Sequence, residues 1–88
     1  DVQSAQEEVY LTDGQKYCIE AHCYMHAHGV GQSIENAIHY YNTSIGLGES
    51  KAMLAMAEYH ESGFNMRIDA QKAEEYLWMA AEAGEPEA

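Results

Sequence analysis

Asp69-x-x-Lys72-Ala73-x-x-Tyr76-Leu77-x-x-Ala80-Ala81-x-x-Gly84 and, earlier, Ser33-x-x-Asn36-Ala37-x-x-Tyr40-Tyr41-x-x-Ser44-Ile45-x-x-Gly48 are one pattern written twice. Ala73 follows Ala37, Tyr76 follows Tyr40 and Gly84 follows Gly48 by 36 residues each, and Ala88 follows Ala52 by the same step. A fixed period of this size marks a repeat array. Each unit has an apolar face that it cannot bury alone, so neighbouring units stack to cover it.

Outward from these segments the chain divides at its glycines. Residues 1–11 correspond by the offset to the end of a preceding second helix, with Val9 opposite Ile45 and Ala81. Thr12 or Asp13 can cap a first helix, and Gly14 tolerates unusual torsions. That helix is expected over Gln15–His28, with Tyr17, Ala21, Tyr24 and His28 as its packed stripe. Gly29 then takes the left-handed cap, and Val30 tucks back onto the core. Ser33 caps a second helix to about Gly46, with Ile34, Ala37, Ile38, Tyr41 and Ile45 inward; Asn36 leaves only half a capping box. A third helix over Ser50–Ser62 turns Ala52, Met53, Met56, Ala57, Tyr59 and His60 inward and ends at Gly63. Asp69 caps a fourth, which ends at Gly84, and Pro86 suits the first turn of another. The repeats are therefore 12–48 and 49–84, with 85–88 opening a further one. Ala37, Ala57, Ala73 and Ala81 are expected at close helix contacts, where only a small side chain fits.

The residues Tyr24, Gly29-Val30, Ser33, Asn36-Ala37, Tyr40-Tyr41, Ile45, Gly48 and Ala52 in this spacing resemble the Sel-one-like repeat, a relative of the tetratricopeptide repeat. The second copy matches through Gly63, Asp69, Lys72-Ala73, Tyr76, Ala80-Ala81, Gly84 and Ala88. The chain departs from the family pattern at Ser33, at His60, at Asn65-Met66 and in the helix from Gln15 to Ala21. The resemblance implies an all-α fold: a right-handed α/α solenoid of antiparallel helix pairs, with the first helix of each pair lining a concave side. It also implies a protein-interaction scaffold or adaptor, not an enzyme. The alternative is a structural or capping segment of a larger protein with no binding role of its own.

Charge narrows the partners. Fifteen Asp and Glu against four Lys and Arg give a formal net charge of −11. Nucleic acid and anionic membranes need a basic footprint and are not expected. A protein or peptide with basic residues is favoured by sign. No apolar run approaches the roughly 20 residues of a membrane span. No signal peptide is visible, and a chain opening at Asp1 reads as a mature or excised form. Cys18 and Cys23 lie five apart in one helix, where a bridge would need distorted geometry. Two thiols that cannot readily pair fit a reducing compartment.

Five His and two Cys invite a search for chemistry. Cys18, His22 and His26 recur at i, i+4, i+8, but 8 residues of helix span about 12 Å, too far for all three to hold one ion. No metal or cofactor is expected. A nucleophilic Cys18 or Cys23 would need a converging His and an orienting group, and no loop is long enough to build that pocket. His39 and Glu35 are an ordinary i, i+4 pair, and His60 reads as a satisfied core histidine. Tyr40, Tyr41, Tyr76 and Trp78 read as inter-repeat packing, with Trp78 alone off the repeated positions and free for contact.

The binding face follows from the register. On the third helix Lys51, Leu54, Glu58 and Glu61 are not needed for the core and form one continuous stripe. Subtracting 36 gives Gln15, Cys18, His22 and Met25 on the first helix. These eight residues are the expected lining of a concave groove for an extended or helical segment carrying Lys or Arg beside an apolar anchor.

Overall fold

The computed structural model describes residues 11–84. The expectations placed on 1–10 and 85–88 lie outside these. Four helices follow in order: α1 (Asp13–His26), α2 (Ile34–Gly46), α3 (Ser50–Ser62) and α4 (Ala70–Glu82), and no strand occurs among the described residues. The chain is all-α and repeat-like.

The 36-residue period holds in the backbone as well as in the sequence. Adding 36 to the bounds of α2 gives the bounds of α4. Their N-caps are a matched pair: Ser33 (φ −150°, ψ 103°) accepts from the Asn36 amide, and Asp69 (φ −149°, ψ 92°) from the Lys72 amide. The Ser33 amide donates to the Tyr24 carbonyl at 3.1 Å, and 36 residues on the Asp69 amide donates to that of His60 at 2.9 Å. Left-handed residues recur in the same register: Ala27 with Gly63, Gly29 with Asn65, and Gly48 with Gly84.

Packing is organised as two helix hairpins, α1–α2 and α3–α4, with α3 laid across the first. Within each hairpin an aromatic pair repeats. Tyr24 stacks on Tyr40 at 5.6 Å and 9°, and His60 stacks on Tyr76 at 5.8 Å and 6°. Tyr17 covers the other side of Tyr40 at 5.9 Å. Tyr40 and Tyr76 therefore stack inside their own hairpins, and Tyr41 reaches across the seam to Tyr59. The common core joins Ala21 and Met25 of α1, Ala37 and Tyr41 of α2, and Ala52, Met56 and Tyr59 of α3. The principal extents are 46 × 32 × 18 Å, and the thin dimension is close to two helix diameters of about 10 Å each.

Several local expectations are corrected. α1 ends at His26, because Ala27 takes the left-handed conformation (φ 59°) ahead of Gly29. Val30 is exposed and does not reach the core. Gly14 lies inside α1, where it serves close approach: a Cβ there would meet Glu49 Cβ at 3.2 Å, and its carbonyl accepts from Ser44 Oγ at 2.6 Å. Thr12 and Gln15 form a full reciprocal capping box. Ala37, Ala57 and Ala73 are buried, but Ala81 is exposed and Ala80 is buried in its place. Ala80 faces the hairpin, as Ser44 does 36 residues earlier, whereas Ala81 looks outward beside Leu77 and Trp78. His60 is half-buried, and its Nδ1 lacks a hydrogen-bond partner, so it is not a satisfied core histidine.

Candidate functional site

The eight residues expected on the groove do not share one environment. Gln15, His22, Lys51, Glu58 and Glu61 are exposed, and Cys18 and Leu54 are half-buried. Met25 is excluded: it is 0% exposed at the centre of the core, and the Asn65 side chain contacts its Sδ at 3.7 Å. Its unbranched thioether fills the space between α1 and α3 that the register alone assigned to solvent.

Three of the eight converge at the N-terminal ends of α1 and α3. There Gln15, Cys18 and Lys51 line an open depression with Leu11, Ile19 and Glu49. Glu49 is fixed by its role as N-cap of α3, where its carboxylate accepts from the Lys51 amide at 3.2 Å. Ile19, half exposed, supplies the apolar floor that sequence reasoning missed. The signal for it was present, since Gln15 and Ile19 share a face at i, i+4. Burial pushes the Cys18 thiol up, and the Glu49 carboxylate pushes it further in the same direction. The thiol therefore stays protonated near neutral pH and behaves as a small apolar group. Cys18 and Cys23 are both free thiols.

A second surface lies on α4. Glu74, Leu77, Trp78 and Ala81 line an apolar depression, and Trp78 is 66% exposed. The positions 36 residues earlier are Ile38, Tyr41, Asn42 and Ile45, of which Tyr41 is 1% exposed beneath α3. α4 thus exposes Leu77 at the position where its counterpart on α2, Tyr41, is buried.

Comparison with protein-family models, curated proteins and solved structures finds no match. The internal repeat stands on this chain alone. No helix among the described residues is long and apolar enough to cross a membrane.

Between the hairpins runs a chain of polar contacts. His26 Nε2 lies 3.1 Å from the Tyr59 hydroxyl, which lies 2.8 Å from that of Tyr41. Burial and the bond to Tyr59 push the Tyr41 hydroxyl far above its ordinary range, and burial raises Tyr59 as well. Neither ionises near neutral pH, so the Tyr41–Tyr59 contact is a bond between two neutral hydroxyls.

Proposed function

We propose that this chain is a protein-interaction scaffold, not an enzyme. In this reading its two hairpins are successive units of a right-handed α/α solenoid of Sel-one-like type. The observation that carries the reading is the repetition of caps, left-handed turns and stacked aromatic pairs at 36 residues, with the second hairpin seated on the first. Stacking of this kind generates adjoining first-helix faces, and extended surfaces are what repeat proteins use to bind. The face formed by Gln15, Cys18, His22, Lys51, Leu54, Glu58 and Glu61 takes a peptide segment with Lys or Arg beside an apolar side chain. Ile19, Cys18 and Leu54 receive the apolar anchor, and Glu49, Glu58 and Glu61 receive the cations.

A panel of peptides that varies basic and apolar residues tests this. Glu58→Lys with Glu61→Lys changes the formal charge by four, from −11 to −7, at two exposed positions. The double variant should keep its helix content and its melting temperature. It should lose affinity for the basic peptides and show a shallower salt dependence. Unchanged binding by this variant would remove α3 from the interface.

A second reading, a structural segment within a longer array, is favoured by the uncovered face of α4. Under it Leu77, Trp78 and Ala81 meet a further repeat, as Tyr41 and Ile45 meet α3. The two readings are compatible, because they use different helices, α1 and α3 for the groove and α4 for the further contact.

A further inference from the structure

The end of α1 gathers three imidazoles, of which the groove reading uses only His22. His22 and His26 are one turn apart, with ring centroids 4.2 Å from each other. His28 lies beyond the helix, but the left-handed Ala27 turns the chain back, and the His28 amide bonds to the Cys23 carbonyl at 2.9 Å. This return brings its ring to 5.4 Å from His22 and 5.9 Å from His26. Cys18, grouped with His22 and His26 from sequence, turns instead toward the core and Glu49.

Three imidazoles bound to one tetrahedral ion at about 2.0–2.1 Å have ring centres roughly 5 Å apart. The observed separations, 4.2, 5.4 and 5.9 Å, bracket that value. Among the described residues no three ligand side chains stand in coordinating geometry as they are. His22 and His28 are both exposed, however, and their rings can rotate without disturbing the core. His26 is the fixed member. It stacks on Phe64 at 5.2 Å, and its Nε2 faces the Tyr59 hydroxyl, which leaves Nδ1 for an ion. A ligating histidine whose other nitrogen is held by a hydrogen bond is the usual arrangement at metal sites. The acidic net charge of the chain also draws cations.

We propose that His22, His26 and His28 form a three-histidine site, assembled on binding, for a divalent transition ion of the Zn²⁺ or Cu²⁺ class. Imidazole nitrogen selects these ions over Mg²⁺ and Ca²⁺. The fourth position is left to solvent. The site joins α1 to α3 through His26 and Tyr59, so an ion there also stabilises the seam.

Titration of the full chain with Zn²⁺, and with Co²⁺ as a coloured substitute, tests this. Expected are one saturable site per chain, the visible spectrum of four-coordinate Co²⁺, a Zn²⁺-dependent rise in melting temperature, and no response to Mg²⁺. His22→Ala and His28→Ala remove exposed side chains and should each weaken binding tenfold or more with helix content unchanged. Tyr59→Phe keeps the ring and should weaken binding by about tenfold through loss of the contact to His26. Absence of a saturable site in the unaltered chain overturns the proposal. So does unchanged affinity in the His22→Ala, His28→Ala double variant, which would assign the ion to carboxylates. Retention of full affinity in His28→Ala alone would reduce the site to a helical pair and overturn the three-histidine assignment.

Discussion

Ala27 and Gly63 occupy one structural position in two copies of the repeat, and both are left-handed, at φ 59° and 79°. For alanine that conformation costs about 1–2 kcal/mol, and for glycine almost nothing. Ala27→Gly should therefore stabilise the chain. The gain is partly offset by a looser unfolded state, leaving about 0.5–1 kcal/mol in urea unfolding. Gly63→Ala should do the reverse, because its Cβ would also meet Ile68 Cγ1 at 2.7 Å. Its cost should be about 1–3 kcal/mol from crowding alone. Equal stabilities for both variants would mean that the two caps are not equivalent. The same residue explains why the end of α1 is hard to read from sequence. A left-handed alanine leaves no compositional trace, while Gly29 two residues later offers an obvious but misplaced stop. Met25 escaped for a related reason: Tyr17, Ala21, Tyr24 and His28 make the more conspicuous stripe. The tyrosines spend their faces on stacking with Tyr40, and a flexible methionine fills the centre.

At the level of elements, the bounds of α2, α3 and α4 were legible because caps and glycines mark them chemically. Ser33 and Asp69 bind the orphan amides of the first turn, and Gly48, Gly63 and Gly84 take positive φ at the ends. What no local signal marks is how one hairpin meets the next. That seam rests on Tyr59, which contacts both His26 of α1 and Tyr41 of α2 through one hydroxyl. The geometry predicts an asymmetry. Tyr41→Phe leaves the Tyr59 hydroxyl bonded to His26 and should cost about 0.5–1.5 kcal/mol. Tyr59→Phe orphans the buried Tyr41 hydroxyl as well as the imidazole, and should cost about 1–3 kcal/mol. Chemical denaturation of both variants and the double variant checks this. A Tyr41→Phe cost equal to or above that of Tyr59→Phe would show that ring packing, not the hydroxyl chain, holds the seam.

For the whole molecule the question is which surface meets a partner, and the chain carries its own reporter. Trp78 is the sole tryptophan, it is 66% exposed, and it lies on α4 with Leu77 and Ala81. The groove residues lie instead on α1 and α3. Most inward and outward positions were legible because the 36-residue register sorts them, and Trp78 stood out because it falls outside the repeated positions. Met25 and Ala81 failed that sorting where burial depends on a neighbour: Met25 has α3 above it, and Ala81 has no described element over it. An exposed indole emits at long wavelength and is quenched by acrylamide nearly as freely as tryptophan in water, and that is expected of the isolated chain. A basic peptide seated between α1 and α3 should leave the emission and quenching of Trp78 unchanged while it saturates. A partner that covers α4, whether a further repeat or another protein, should shift the emission to shorter wavelength and protect the indole. Leu77→Glu should abolish that protection and leave groove binding intact, since an unpaired carboxylate is costly to bury at a closed apolar contact. If the peptide that responds to Glu58 and Glu61 also protects Trp78, the groove assignment fails, because the segment would then be covering α4 and not only α1 and α3.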